Sequence, residues 1–194
     1  MMDTMVNAVI FFITVTVMIR LFRKDGNWSL RSGKKALRFF TVLSNISCAL
    51  SALLMCFAPE NRLFWMLKYI GTSAVAVTML TVLLFLAPSI GSLSKLLRGT
   101  EFFMHLLTPM LAIFSFCFLE KRGMVFRQSL WGMLPVVLYG PWYLYKINYA
   151  PKEKRWEDFY GFNKTGKWPI SFASMAAGTF LLCLGLMALQ NTCV

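Results

Sequence analysis

FFTVLSNISCALSALLMCFA, at residues 39–58, contains no charged side chain. As an α-helix it would extend about 30 Å, the thickness of the hydrocarbon core of a bilayer. Other stretches of similar character, nearly free of charge and joined by short linkers, lie at 5–19, 63–87, 102–119, 124–145 and 170–190. The sequence therefore predicts an all-α membrane protein, a bundle of six transmembrane helices forming one domain over residues 1–194.

The composition agrees with a membrane protein. Hydrophobic residues make up 58% of the chain, charged residues 14%, and the mean hydropathy is +0.62. A soluble domain of this size would have difficulty burying so much apolar surface. The segment 5–19 differs from a signal peptide, because Asp3 stands where a basic region is expected and no small-residue cleavage site follows. We predict that it is retained as the first helix.

The net charge of +12 is distributed unevenly between the two sides of the predicted bundle. Five basic residues belong to the side opposite the linkers that follow segments one, three and five, namely Arg62, Lys68, Lys121, Arg122 and Arg127. Fifteen belong to the linkers after segments one, three and five: Arg20, Arg23, Lys24, Arg31, Lys34, Lys35, Arg38, Lys95, Arg98, Lys146, Lys152, Lys154, Arg155, Lys164 and Lys167. The positive-inside rule then places these linkers in the cytoplasm and both termini on the extracytoplasmic side.

Two classes of function are disfavoured. The basic residues are not interleaved with aromatics on a soluble face, so we expect no nucleic-acid partner. The cysteines show no metal-binding spacing, and we predict neither a disulfide framework nor a metal site or other cofactor; they are Cys48, Cys56, Cys117, Cys183 and Cys193.

The second segment presents a small and polar face. Thr41, Ser44, Cys48 and Ser51 recur at helical spacing, and Asn45 lies one turn beyond Thr41. Close helix packing explains the hydroxyls well, and a threonine in such a helix usually bonds its own i−4 carbonyl. An amide in hydrocarbon needs a partner, so Asn45 should face another helix or a wet cavity.

The fourth segment carries the chain's one histidine, His105, four residues before Pro109. Proline has no N–H, so the carbonyl of residue 105 loses its helical partner and the helix should open there. His105 is four residues past Glu101 and Thr41 is three past Arg38, so both lie at similar depth on the basic side. A structural histidine bonded to a neighbouring helix is the alternative to a functional one.

The last two segments contribute aromatics and helix breakers. Pro135, Gly140 and Pro141 should interrupt the fifth segment, whose end carries Tyr139, Trp142, Tyr143 and Tyr145. These aromatics either roof a lipid pocket or form an ordinary interfacial belt. In the sixth segment, Ser174 and Gly178 form a small-x-x-x-small pair that predicts helix packing.

RFFTVLSN at 38–45 and MHLLTP at 104–109, in a six-span chain of this size, resemble the androgen-induced-protein family and its bacterial membrane relatives. Animal members are intramembrane threonine hydrolases that cleave fatty acid esters of hydroxy fatty acids. The resemblance implies Thr41 as nucleophile and His105 as its partner. WEDFYGF at 156–162 is only loosely similar to the family's aromatic segment before the last helix.

These observations give a working hypothesis: His105 takes the Thr41 proton while the hydroxyl attacks a lipid ester that enters from the cytoplasmic leaflet. Asn45 is a candidate donor to the oxyanion. Glu101, Glu157, Asp158 or a backbone carbonyl could orient the imidazole. Substrate-binding residues are predicted to be Asn45, Ser44, Thr108, Trp142 and Tyr139.

The alternative is a non-catalytic membrane protein that binds a lipid or small molecule, either a transporter subunit or a scaffold. Such a protein keeps the bundle but needs no chemistry at Thr41 or His105. A small vitamin-binding transporter subunit is disfavoured, because the first segment offers little of the expected small-residue docking stripe. The oligomeric state is open.

Overall fold

The computed structural model describes residues 1–91 and 97–192, so Lys95 and Cys193 lie outside the described residues. We number the helices within this part in chain order: α1 (Met2–Leu21), α2 (Leu30–Ala36), α3 (Phe40–Phe57), α4 (Arg62–Thr81), α5 (Ala87–Ile90), α6 (Thr100–Phe102), α7 (Thr108–Phe114), α8 (Phe126–Ser129), α9 (Leu134–Asn148) and α10 (Trp168–Asn191).

Short π and 3-10 turns join these helices into longer runs. The π turns are Val82–Leu86, Phe103–Leu107 and Ser115–Leu119, and the 3-10 turns are Leu130–Met133 and Lys152–Lys154. Within the described residues, five runs are long and apolar enough to cross a membrane: Met2–Leu21, Phe40–Phe57, Arg62–Leu86, Thr100–Leu119 and Trp168–Asn191. The prediction of an α-helical membrane protein is confirmed. The predicted span 124–145 is divided among α8, a 3-10 turn and α9.

Two of the π turns immediately precede a proline-containing helix. Pro88 and Pro109 are the second residues of α5 and α7. The amide of Thr108 bonds the carbonyl of Phe103, five residues back, and the turn contains His105. Because a proline supplies no N–H, the helix widens before it. The expected local opening at His105 is therefore present as a π turn.

A small antiparallel hairpin follows α1. Arg23–Lys24 pairs with Asn27–Trp28. The two residues between the strands, Asp25 and Gly26, have φ values of 52° and 81°. An Asp-Gly pair with both φ values positive is the preferred two-residue connection of a hairpin. The hairpin turns the chain from α1 towards α2 on the basic side.

The centre of the bundle is built from small residues. Cys48 and Ala52 of α3 pack with Ile10 of α1, Val75 of α4 and Ala112 of α7. Small side chains allow helix backbones to approach closely, which favours helix association in a bilayer. As a result α3 is held between α1 and α4, with Thr41 at its first turn.

Candidate functional site

Thr41 lines a narrow cleft between five parts of the chain, which we name the Thr41 cleft. Its empty volume is about 500 Å³, the solvent at its mouth included. The walls are mostly apolar and come from α3, α4 with its π turn, α9, the following loop and α10: Phe40, Thr41, Val77, Thr78, Thr81, Val82, Leu86, Val136, Tyr139, Gly140, Tyr160, Phe162, Phe172 and Met175. A narrow apolar space with a few hydroxyls is typical of a site for a chain-like ligand.

The polar end of the cleft is a cluster of three hydroxyl groups. The Tyr160 hydroxyl accepts the backbone N–H of Phe40 at 2.9 Å and lies close to the hydroxyl groups of Thr41 and Tyr139. Tyr139 donates its own proton to the carbonyl of Arg38 at 2.6 Å. Burial raises the pKa of Tyr160, while its hydrogen bonds act in the opposite direction. Tyr160 therefore stays protonated near neutral pH and has a hydroxyl proton beside Thr41.

The loop after α9 places Tyr160 through a buried Tyr143. The Tyr143 hydroxyl accepts the backbone N–H of Tyr160 at 3.1 Å and donates to Asp158 at 2.8 Å. Asp158 also accepts the amides four and five residues further along, at 3.0 and 2.7 Å. Phe159 packs against the Tyr143 ring with centroids 5.0 Å apart. Asp158, which the sequence offers as a candidate partner of His105, instead stabilises this loop by accepting these hydrogen bonds.

His105 is buried beside the carboxylate of Glu101. Only 7% of its surface is exposed, and its Nε2 lies 3.3 Å from a Glu101 oxygen. The pair is spaced i, i+4 across the π turn. Of the acidic residues that the sequence offered to orient the imidazole, Glu101 is the one paired with it. His105 does not line the Thr41 cleft.

Asn45 connects the helix of Thr41 to the helix of His105. Its side-chain nitrogen donates to the carbonyl of Thr41 at 2.8 Å and to the carbonyl of Met104 at 3.2 Å. The two carbonyl oxygens are therefore no more than 6.0 Å apart, the sum of these distances. The helix with His105 thus passes directly beside the first turn of α3. The Asn45 side-chain oxygen is buried and has no hydrogen-bond partner among residues 1–91 and 97–192.

The other predicted substrate-binding residues are spread around this region. Ser44 is buried and shares a hydrogen bond of 2.9 Å with Thr78, a residue of the cleft wall. Thr108 is buried, with 1% of its surface exposed, and does not line the Thr41 cleft. Trp142 is half exposed and lines a second depression, which we name the outer groove. Its lining is Phe40, Leu43, Ser44, Ser47, Ile70, Ala74, Leu134, Pro135, Leu138, Tyr139 and Trp142.

A second polar cluster, which was not predicted from the sequence, lies at the other end of the bundle. Lys68 is fully buried within α4, although we had counted it with the basic residues of the opposite side. Its Nζ donates to Asn7 at 2.5 Å, and Asn7 donates to Glu120 at 2.6 Å. Ser115 donates to the same oxygen of Glu120 at 2.7 Å. The available signal was the position of Lys68 inside the apolar stretch 63–87, because a charge in a span needs a partner.

Comparison with known proteins gives no match to a family model, to a curated protein or to a solved structure.

Proposed function

We propose that this protein hydrolyses lipid esters within the membrane, with Thr41 as the nucleophile and His105 as its base. The strongest support is that Thr41 lines a mostly apolar cleft close to the hydroxyl groups of Tyr139 and Tyr160. An acyl chain suits the apolar walls, and its ester carbonyl then meets the hydroxyls of Thr41, Tyr139 and Tyr160. The substrate class is an ester of a long-chain fatty acid, possible examples including fatty acid esters of hydroxy fatty acids.

The proposed reaction has two steps. The Thr41 oxygen bonds to the ester carbonyl carbon as its proton passes to His105, and the same proton then goes to the departing alcohol as the ester C–O bond breaks. Water attacks the resulting acyl-threonine, releases the fatty acid and restores the Thr41 hydroxyl. Tyr160 is the better placed donor to the oxyanion, because the Asn45 nitrogen already donates to two carbonyls.

In the proposed mechanism the His105 side chain has to move before it can act as the base. His105 faces Glu101 and lies outside the cleft lining, so its ring has to turn towards Thr41 when substrate binds. The distance to be covered is limited, since the carbonyls of Thr41 and Met104 share one amide. Catalytic hydrogen bonds often form only in the substrate complex.

We also propose the finer assignments made from the sequence. These are membership of the androgen-induced-protein family, six spans with 124–145 as the fifth, and both termini on the extracytoplasmic side. The charge distribution supports the orientation. Residues Phe126 to Asn148 are continuously helical when the 3-10 turn is included, which supports a sixth span.

A fluorophosphonate probe for serine and threonine hydrolases tests the proposal on the purified protein. We expect the wild type to be labelled on Thr41, Thr41→Ser to remain labelled, and Thr41→Ala to lose labelling. His105→Ala should be labelled roughly 100-fold more slowly, the lower limit for loss of a general base. Thr81→Ala, which alters another hydroxyl of the same cleft, is the control and should label normally. An unlabelled wild type, or equal labelling of Thr41→Ala, contradicts the proposal.

Non-catalytic lipid binding is the second candidate, and the exclusion of His105 from the cleft lining favours it. The same purified samples distinguish the two functions. Lipid that remains bound in both wild type and Thr41→Ala, measured by mass spectrometry, together with no labelling of the wild type, supports binding alone.

A further inference from the structure

We infer that the outer groove holds an acyl chain of an anionic phospholipid, and that Arg38 and Lys146 bind the phosphate of this lipid. The inference concerns a binding site beside the Thr41 cleft and does not depend on hydrolysis at Thr41. It is based on the placement of the two basic side chains at the cytoplasmic end of the groove.

Arg38 and Lys146 share one aromatic ring. The guanidinium of Arg38 and the ammonium of Lys146 each lie 5.8 Å from the centroid of the Trp156 ring. Among the described residues, no carboxylate lies within 4.0 Å of either cation. Two positive charges near one ring repel each other, and an anion between or beside them offsets this repulsion. Both groups can donate hydrogen bonds to a phosphate oxygen.

Arg38 and Lys146 contact residues that line the groove. Lys146 is 4.8 Å from the ring centroid of Trp142, which lines the groove. Tyr139, another wall residue, donates to the backbone carbonyl of Arg38 at 2.6 Å. A phosphate bound by Arg38 and Lys146 would therefore lie next to the apolar lining of the groove.

The remainder of the groove suits a hydrocarbon chain. It runs along α9 from Trp142 back to Leu134, eight residues or about 12 Å of helix. Leu43 and Leu138 on its rim are exposed, as expected of side chains that face lipid. A free phosphate would use the cations but not this apolar path, so the structure favours a phospholipid as the occupant.

The groove also borders the Thr41 cleft. Phe40 and Tyr139 line both spaces, and their ring centroids are 5.2 Å apart. A lipid in the groove thus lies against the wall that separates it from Thr41. If Thr41 is a nucleophile, this wall is where a bilayer lipid would pass to it.

The test compares dioleoyl phosphatidylglycerol with dioleoyl phosphatidylcholine, titrated into the purified full chain in detergent and followed by native mass spectrometry. We expect the wild type to prefer the anionic lipid. Combining Arg38→Gln and Lys146→Gln should weaken its binding roughly 25-fold, from roughly 5-fold per cation at a membrane surface. Combining Lys34→Gln and Lys35→Gln removes the same charge from exposed positions on α2 and is the matched control. Ser47→Trp fills the groove and should weaken binding of both lipids.

Further variants distinguish binding at this site from a non-specific effect of charge and from misfolding of the protein. The charge-preserving pair Arg38→Lys and Lys146→Arg should keep the lipid preference and the wild-type helix content. Inorganic phosphate in large excess should not displace the lipid. The inference is overturned by equal losses in the α2 control, by unchanged binding in the Ser47→Trp protein, or by full displacement with phosphate.

Discussion

Lys68 illustrates how one side chain can constrain a membrane bundle. It is fully buried six residues inside α4, and its charge is balanced through Asn7 by the carboxylate of Glu120. An isolated charge in an apolar interior is very unfavourable, whereas a bridged pair with further hydrogen bonds is tolerated. Asn7 belongs to α1, Lys68 to α4 and Glu120 follows the π turn Ser115–Leu119. The network therefore joins three separate runs.

We predict that Lys68→Met destabilises the protein by about 3–5 kcal/mol, because it leaves the Glu120 charge buried without its counterpart. Glu120→Gln should destabilise the protein by a similar amount, because it leaves the Lys68 charge buried without its counterpart. The double variant should recover much of the loss. Reversible unfolding in detergent, analysed as a double-mutant cycle, measures the coupling. Lys24→Met, at an exposed position, is the control, with an expected change within about 0.5 kcal/mol. Additive losses in the double variant contradict the prediction.

For single residues, the sequence predicts positions along a helix better than it predicts contacts between distant parts of the chain. Thr41 and Tyr139 were predicted as site residues from their place in the spans, and both line the cleft. Tyr160 was not, because its hydroxyl reaches the Phe40 amide across 120 positions of sequence. That contact depends on the folding of one loop around Tyr143, and no periodicity in the sequence encodes it.

Helix packing shows the same limitation at the scale of elements. The pair Ser174 and Gly178 predicted a close helix contact in the last segment. The structure contradicts this within the described residues, since both are exposed and a Cβ on Gly178 would have no atom within 4 Å. Gly71 in α4 makes the close contact instead, where a Cβ would lie 2.8 Å from the Cys48 backbone. A pattern of small residues does not by itself identify which face is covered.

Gly71→Ala should therefore destabilise the bundle by about 1–3 kcal/mol, because the added methyl group overlaps the backbone of α3 and forces the helices apart. Gly178→Ala is the matched control, and it should be neutral or stabilising by up to about 1 kcal/mol through helix propensity. The midpoint of thermal unfolding in detergent measures both. Equal midpoints for the two variants would show that α3 and α4 are not in backbone contact at Gly71.

The elements themselves were largely predictable, because hydropathy and length determine where a helix can cross a bilayer. The break expected in the fifth segment is present, with Pro135 in the first turn of α9 directly after a 3-10 turn. Pro141, expected to interrupt it again, lies inside α9. Proline removes one hydrogen bond, but neighbouring helices in a bundle can compensate for this loss.

For the molecule as a whole, the two polar clusters lie at opposite ends of the bundle. The Thr41 cleft, Arg38 and Lys146 lie beside the basic linkers, whereas Glu120 is followed by the short linker to α8. Counting residues from the basic side predicted that Thr41 and His105 lie at similar depth. The Asn45 bridge agrees with this estimate, since it joins the carbonyls of Thr41 and Met104.

The orientation of the whole chain in the membrane can be tested by cysteine accessibility. Lys34 in α2 and Arg127 in the first turn of α8 are exposed, and the charge distribution assigns them to opposite sides. With a membrane-impermeant maleimide on intact cells, Arg127→Cys should be labelled directly, and Lys34→Cys only after permeabilisation, because the proposed orientation places the basic linkers in the cytoplasm. The unsubstituted protein controls for the native thiols, of which Cys48, Cys117 and Cys183 are buried. The basic linkers also contain two Asn-X-Ser/Thr glycosylation sequons, which begin at Asn27 and Asn163. Direct labelling of Lys34→Cys, or glycosylation at either asparagine, would reverse the orientation and place the Thr41 cleft and the Arg38 and Lys146 site at the extracytoplasmic leaflet.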